Sequence, residues 1–386
     1  MLGKTNITTL AEGAVATEIE DYSWIQMQAG INGNFVKAIY KNGYLAAITA
    51  DGTVVYTKDG EVWQTSRLEY KDCRLNDIDW DGSRFVLVGK HTEENGQRVL
   101  IVTSINLVEY TRMVWDENTA YDREVLAIFP QNGICTMITK YDTILYIVNV
   151  YLTENAVEEK NITRLTMNAT KASTVYYSIA KNTSGILIYY AAIDAYECHH
   201  TISKISNEGN EIQVRHSSDD SEDKRKRKVS VFECKGTLYA MELVKSTAYN
   251  LNKITDSNEI IPVCTGQDFM FVDGVYFNEC QVFINRHDML VVKKSENIGD
   301  KTLDDMVEVA PEFTMNCITK AFGQIYIFGN QGVILKSSVE TNNENGITVQ
   351  ALSAKKALAE AKIYTNEKYA ALEARIAALE AANVPE

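Results

Sequence analysis

Short apolar runs separated by polar turns recur along most of this 386-residue chain. Each unit opens with an apolar run, passes through a polar turn that carries glycine, and continues into further apolar runs. Runs of four to eight β-branched or alternating residues, broken by Gly, Asn and Asp, are the signal for strands and hairpins. The turn glycines are Gly43, Gly82, Gly133, Gly185, Gly236, Gly274 and Gly323.

These glycines are separated by 39, 51, 52, 51, 38 and 49 residues, with a mean near 47. A period of about 40–50 residues is typical of propeller blades. Read as four strands, the first unit gives VKAIYKN, YLAAITA, TVVYTKD and VWQTSRL. The second unit gives LNDIDWD, RFVLVGK, RVLIVTS and EYTRMVW, and FMFVDG is expected to open the sixth.

The pattern therefore predicts an all-β fold, a seven-bladed β-propeller of four-stranded blades over residues 31–350. Radial packing covers both faces of each blade and leaves only short edges exposed. Residues 1–30 either supply a strand that completes the last blade or pack outside the ring. An array of two-sheet sandwiches is the alternative, and it is disfavoured because the repeat is regular and no linker separates the units.

One turn of the first unit carries a recognisable motif. Thr57, Asp59, Gly60 and Trp63 fit the pattern S/T-x-D-G-x-x-W of an Asp-box. In this motif the aspartate ties a tight turn to its own backbone, and the tryptophan is expected to pack between blades. Asp-boxes are found in sialidases and also in many propellers that are not enzymes, so we assign these four residues a structural role.

Composition changes after about residue 350, where Ala, Glu, Lys and Leu dominate and glycine is absent. Helix propensity is high throughout, and the pattern predicts an α-helix over 351–386. A heptad seam with one four-residue stutter predicts self-association through a coiled coil, with a single helix folded back on the propeller as the alternative. The seam residues are Leu358, Ala361, Thr365, Tyr369, Leu372, Ile376 and Leu379.

The formal net charge is −14 and the pI is about 5.0. An acidic chain repels phosphate backbones, so nucleic acid is not an expected partner. The basic run 224–228 follows four acidic residues and is expected to lie in a solvated loop between blades four and five. The sequence shows no signal peptide and no apolar run long enough to span a membrane, so we expect folding in a cytoplasm and no membrane insertion.

Residue types that support catalysis or metal binding are scattered. The seven cysteines lack metal-type spacing and are expected to be free thiols. In the run from Glu197 to His200, neighbouring residues of a strand point to opposite faces, so at most two side chains converge and no metal site is expected.

A propeller glycosidase would need carboxylates that converge on the channel mouth, and a sialidase would also need an arginine cluster. The acidic candidates are Asp79, Asp81, Asp194, Asp273, Asp288, Asp304 and Asp305. The arginine candidates are Arg74, Arg84, Arg123 and Arg286. None forms a recognisable motif, so we expect no enzyme activity and no cofactor.

Two parts of the sequence resemble structural proteins of phages that infect Gram-positive, particularly clostridial, bacteria. The segment Ala361–Lys368 within the C-terminal region is similar to helical segments of such proteins, and NGYLAAITADGTVVYTKDGEVW and WDGSRFVLVGK are similar to repeats of phage tail and fibre propellers.

The resemblance implies a non-enzymatic virion protein of a tail, baseplate or fibre that forms a homo-oligomer, with a trimer preferred. Such a protein would contact other virion proteins and a host-surface glycan or protein. A neck or collar scaffold and a glycan-cleaving propeller are the alternatives.

Overall fold

The computed structural model describes residues 5–7, 12–13, 23–94, 96–115, 123–131, 133–154, 156–165, 174–193, 197–206, 210–219, 230–243, 249–267, 270–293, 296, 298–301, 305–309 and 314–338. Within these residues seven antiparallel sheets of four principal strands follow one another along the chain, as expected for a seven-bladed propeller. The predicted helix over 351–386, with its seam residues, lies outside the described residues.

The strands are numbered in chain order. The N-terminal ones are β1 (Thr5–Ile7), β2 (Glu12–Gly13) and β3 (Ser23–Gln28). Blade 1 contains β4 (Phe35–Lys41), β5 (Tyr44–Thr49), β6 (Thr53–Thr57) and β7 (Trp63–Arg67). Blade 2 contains β8 (Arg74–Trp80), β9 (Phe85–Glu93), β10 (Gly96–Ser104) and β11 (Thr111–Arg112), and β12 (Val114–Trp115) follows it. Blade 3 contains β13 (Arg123–Gln131), β14 (Ile134–Tyr141), β15 (Ile144–Leu152) and β16 (Ala156–Arg164).

The remaining blades follow the same order of four strands. Blade 4 contains β17 (Thr174–Asn182), β18 (Gly185–Ile193), β19 (Cys198–Ile205) and β20 (Glu211–Asp219). Blade 5 contains β21 (Ser230–Cys234), β22 (Thr237–Leu243), β23 (Tyr249–Ile254) and β24 (Ile260–Gln267). Blade 6 contains β25 (Asp273–Phe277), β26 (Cys280–Ile284), β27 (Asp288–Val292) and β28 (Val307–Glu308). Blade 7 contains β29 (Met315–Ala321), β30 (Gln324–Gly329) and β31 (Val333–Ser338).

The ring is closed by a strand from the other end of the chain. Strand β3 pairs antiparallel with β31, from Ser23 opposite Ser338 to Gln28 opposite Val333, and so becomes the fourth strand of blade 7. The backbone N–H of Ala29 also donates to the carbonyl of Gly332 at 2.9 Å. Unfolding the last blade therefore requires the N-terminal strand to detach as well.

Apolar clusters fill the interfaces between neighbouring blades. Within the described residues there are seven such clusters, one for each interface of the ring. In β5, Leu45 and Ala47 pack towards blade 7, whereas Ala46 and Ile48 pack towards blade 2. Because both faces of this strand are buried, its sequence is continuously apolar rather than alternating.

Three details differ from the sequence-based prediction. Gly274 lies inside β25, and the turn of that hairpin is formed by Asn278 and Glu279, which both have positive φ. The segment FMFVDG therefore supplies only Asp273 and Gly274, the first two residues of the first strand of blade 6. The segment EYTRMVW is divided, because β11 pairs with β10 in blade 2 whereas β12 pairs in parallel with β16 of blade 3.

Candidate functional site

The first strand of every blade lines a central channel with a volume of about 1090 Å³. These strands are β4, β8, β13, β17, β21, β25 and β29, and each ends at the turn that leads to the second strand of its blade. We call the end of the channel at these turns the turn mouth. A smaller cavity of about 340 Å³ opens there among blades 3, 4 and 5, between Phe129, Lys181 and Glu233.

Two carboxylates, the buried Asp77 and the half-buried Asp273, connect neighbouring blades along the channel. Oδ2 of Asp77 accepts a hydrogen bond from the backbone N–H of Ile128 in blade 3 at 2.9 Å. Oδ2 of Asp273 accepts the corresponding bond from Ile318 in blade 7 at 3.0 Å. Each also accepts from the N–H of the residue that follows it. The same chemistry therefore joins blade 2 to blade 3 and blade 6 to blade 7.

Blades 4 and 7 use neutral side chains for the same purpose. Oγ of Ser178 in blade 4 accepts from the backbone N–H of Val231 in blade 5 at 3.0 Å. Nδ2 of Asn316 in blade 7 donates to the carbonyl of Phe35 in blade 1 at 2.9 Å. Asp77 and Asp273 thus belong to a set of polar contacts between blades.

Lys37 faces these two carboxylates from blade 1. Burial alone would lower the pKa of Lys37, but the charges of Asp77 and Asp273 outweigh burial and raise it. Burial raises the pKa of Asp77 against the opposing effect of Lys37, and it raises the pKa of Asp273 to about 6. Asp273 is therefore a channel carboxyl that changes charge near neutral pH.

A second lysine enters the channel from blade 4. Lys181 forms an ion pair with Asp79 and lies 5.1 Å from the centre of the Phe129 ring. Burial lowers the pKa of Lys181 to about 8, and the cationic neighbours Lys37 and Lys41 act in the same direction. The first-strand residues Lys37, Asp77 and Lys181 were not singled out by the sequence, because nothing distinguishes them from the background of charged residues.

The predicted acidic candidates do not converge on one site. Asp79 and Asp273 lie on the channel, whereas Asp81 lies in the β8–β9 turn and Asp288 accepts a hydrogen bond from Asn285 at 2.8 Å. Asp305 pairs with Lys301 at 3.8 Å on blade 6. Asp194 and Asp304 lie outside the described residues.

The predicted arginine candidates also remain apart. Arg84 binds Asp81 at 3.0 Å and donates to the carbonyls of Leu152 and Thr153 in blade 3. Arg74 approaches Glu124 at 3.9 Å. The guanidinium of Arg123 lies over the Tyr146 ring, and Arg286 uses its backbone carbonyl to accept from Met315. These arginines do not form the triad that a sialidase requires.

The residues from Glu197 to His200 divide between the two faces of blade 4. Cys198 Sγ lies 3.2 Å from Nε2 of His200, and Oε2 of Glu197 lies 3.2 Å from Nε2 of His199. His199 also stacks on His216 of the neighbouring strand. Each face thus receives two members of the run. Among the residues that the structure describes, no group of three or more His, Cys, Asp or Glu is arranged to hold a metal ion.

The Asp-box forms the β6–β7 turn. Oδ1 of Asp59 accepts from the backbone N–H groups of Glu61 at 2.8 Å and Val62 at 2.9 Å. The hydroxyl of Thr57 donates to Asp59 and accepts from the N–H of Gly60. These bonds lower the pKa of Asp59, with the backbone donors as the largest cause.

A second turn of the same design lies at the corresponding place in blade 2, within Ser104–Tyr110. Oδ1 of Asn106 accepts from the N–H groups of Val108 at 3.0 Å and Glu109 at 3.1 Å. The hydroxyl of Ser104 accepts from the N–H of Leu107, which has a φ of 60° where the first turn has glycine. Sequence reasoning missed this turn because Asn, Leu and Tyr replace Asp, Gly and Trp of the motif.

The aromatic residues that end the two turns occupy equivalent places. Trp63 is 1% exposed and packs edge-on against Tyr326 and Phe328 of blade 7. The hydroxyl of Tyr110 lies 2.7 Å from Oγ of Ser66 in blade 1. Each aromatic therefore attaches its blade to the preceding one.

No helix among the described residues is both long and apolar enough to cross a bilayer. No family model matches the chain, and no curated protein matches it by sequence.

The chain is similar to solved propeller structures. It matches YCF48 bound to D1 peptide at 14% identity and a TM-score of 0.52, over 83% of this chain and 99% of that one. It matches virginiamycin B lyase from Staphylococcus aureus at 9% identity and a TM-score of 0.53, over 83% and 100%. It matches the WD40 domain of Neurospora crassa Pan2 at 8% identity and a TM-score of 0.51, over 83% and 92%. At these identities the shared feature is the propeller fold.

Proposed function

We propose that this chain is a non-enzymatic structural protein of a phage or phage-tail-like particle, in which the propeller is a rigid module that binds the host surface. The proposal that the protein is not an enzyme rests on the bonds that the channel carboxylates form. Asp77 and Asp273 accept backbone N–H groups of the next blade, and Asp79 pairs with Lys181. Groups with such fixed partners stabilise the ring, and they are poorly placed to transfer protons to a substrate.

The particle assignment is supported by the resemblance of the blade phrases NGYLAAITADGTVVYTKDGEVW and WDGSRFVLVGK, and of Ala361–Lys368, to phage tail and fibre proteins. The seven free cysteines agree with folding in a reducing host cytoplasm before assembly into a virion. Partners in this proposal are further copies of the chain, other virion proteins and a host-surface molecule.

Self-association is proposed to use the C-terminal seam. Replacing both Leu372 and Ile376 with Asp places charges in that seam and is expected to convert the oligomer to monomer. Light scattering measures the mass, and an unchanged oligomer after the double substitution would contradict this role. Particle incorporation of the same variant tests whether the seam also attaches the protein to the virion.

Host binding is tested with fluorescently labelled protein. Labelled wild-type protein is expected to bind intact host cells and to remain unbound to cells of an unrelated species. Protein that assembles into the particle at the head–tail junction but never binds cells would indicate a neck or collar scaffold instead.

A glycan-cleaving hydrolase is the second candidate, and one observation favours it. A carboxyl with a pKa of about 6, as at Asp273, can serve as a general acid. The test is release of reducing ends from host cell-wall or capsular polysaccharide. Turnover that disappears in Asp77→Asn or Asp273→Asn variants that remain folded would replace the binding proposal with this one.

A further inference from the structure

We propose that the turn mouth binds a glycan chain that carries carboxylate groups, with Lys41, Lys235 and Lys320 as its cationic contacts. This inference rests on the proposed host-surface role and names the class of ligand for it. The three lysines come from blades 1, 5 and 7, and all three line the channel at the turn mouth.

Within the described part of the chain, none of the three lysines forms an ion pair, whereas Lys181 of the same mouth is paired with Asp79. All three are exposed. The protein has a net charge of −14, but cations without a carboxylate partner at one end of the channel attract anions to that end.

Two of the amines are held in position by the same residue of blade 6. Nζ of Lys235 lies 4.2 Å above the centre of the Tyr276 ring, and Nζ of Lys320 donates to the Tyr276 carbonyl at 3.1 Å. Lys235 and Lys320 therefore flank one tyrosine from either side. Holding a flexible side chain in place reduces the entropy that it loses on binding a ligand.

Aromatic rings alternate with the cations around the mouth. Tyr40 is 39% exposed, and its ring meets Phe322 edge-on at 4.9 Å. Tyr276 and Phe129 line the same opening, and the adjoining cavity of about 340 Å³ is in the range of small-ligand sites, about 300–1,000 Å³. The exposed ring of Tyr40 suits the flat C–H face of a sugar, so a charged sugar fits this surface better than a bare anion.

Two carboxylates of this end are bonded to partners other than the three amines. Asp79 is paired with Lys181, and Glu233 accepts from the backbone N–H of Gly236. Lys41, Lys235 and Lys320 are the cations left to contact a ligand.

The test uses oligogalacturonate as the probe and its methyl ester as the uncharged counterpart. Isothermal titration of the full-length protein is expected to show binding of the acid form that weakens with added salt, and much weaker binding of the ester. The double variant Lys235→Gln/Lys320→Gln is expected to lose about tenfold in affinity, which corresponds to about 1.4 kcal/mol for two exposed ion pairs together.

Lys160→Gln is the matched control. Lys160 also lies over a tyrosine ring, that of Tyr151 at 5.8 Å, but it belongs to the outer strand of blade 3. The affinity of the Lys160→Gln variant for the probe is expected to equal that of wild type. Melting temperatures equal to that of wild type show that the variants are folded.

Equal binding of the acid and the ester, or unchanged binding by the double variant, would overturn the inference. Binding of poly-glutamate in place of the oligosaccharide would overturn it in favour of an acidic polypeptide. Because the measurement uses isolated protein, a failure here is distinguishable from absence of the protein from the particle, which would refute the proposed function itself.

Discussion

Replacing Asp273 with asparagine is predicted to remove a pH-dependent loss of stability that arises in the channel. The pKa of this carboxyl is about 6 in the folded protein, against an ordinary value of 3.8. The folded state therefore binds a proton more readily than the unfolded state. The stability that the protonated group contributes is fully present below about pH 3.8 and is lost as the pH rises through about 6.

The magnitude follows from the difference between the two pKa values. A shift of about two units corresponds to about 3 kcal/mol, and this is an upper limit because Asp273 is only half-buried and faces the channel. Asparagine keeps one acceptor oxygen, so either Ile318 or Gly274 loses a hydrogen bond, at a cost of about 1 kcal/mol at every pH. The pH dependence separates the two effects because only the ionisation changes with pH.

The assay is urea unfolding of wild type and Asp273→Asn, followed by tryptophan fluorescence from about pH 4 to about pH 8. The unfolding free energy of wild type minus that of the variant is predicted to fall as the pH rises. Asp59→Asn is a control whose difference is expected to stay nearly constant over this range, since the pKa of Asp59 is lowered from 3.8 and its contribution is lost only at lower pH. A difference for Asp273→Asn that is flat or rises with pH would refute the reasoning about the channel.

Three further predictions concern the turns and one thiol. Trp63→Ala should lower the unfolding free energy by about 3–5 kcal/mol in urea unfolding, because the ring is fully buried between blades 1 and 7; a loss below about 1 kcal/mol would contradict this packing role. Asn106→Asp should preserve or slightly raise the melting temperature, because a carboxylate accepts the same two N–H groups; a large drop would show that the two turns are not equivalent. Burial raises the pKa of Cys234 to about 12, so this thiol should resist a thiol reagent at about pH 8 until the protein unfolds; rapid labelling of Cys234 in the folded protein, located by mass spectrometry, would contradict the burial.

The repeat was predictable because the hairpin turn at the channel end needs positive φ, which glycine supplies at low cost. Gly43, Gly133, Gly236 and Gly323 all lie in these turns with positive φ. The marker failed in blade 6, where Asn278 and Glu279 adopt positive φ without glycine. Glycine marks these turns because it adopts positive φ at low cost, and other residues can also adopt positive φ.

A Ser or Thr hydroxyl at the start of the turn between the third and fourth strands of a blade is a second marker in the sequence. In blades 1 to 5 a Ser or Thr oxygen accepts a backbone N–H three or four residues later. These residues are Thr57, Ser104, Thr153, Ser206 and Thr255, and their spacings of 47, 49, 53 and 49 residues are more even than those of the glycines. Serine and threonine are too common for this marker to be found without knowing where the turns are.

The candidate site was less predictable than the fold. The mouth combines Lys41, Lys235 and Lys320 from three blades that are far apart in sequence, and nothing local to each lysine distinguishes it. Closure of the ring by β3 and β31 likewise joins residues more than 300 positions apart. Such pairings depend on the number of blades and the register of the whole ring, which short-range patterns do not specify.

The most direct test of the central claim is cryo-electron microscopy of the intact particle that encodes this chain. We expect density for a seven-bladed propeller at the tail, baseplate or fibre, with the turn mouth open towards the outside. Absence of the protein from the particle would contradict the virion assignment. Propeller density at the neck would contradict the host-binding role.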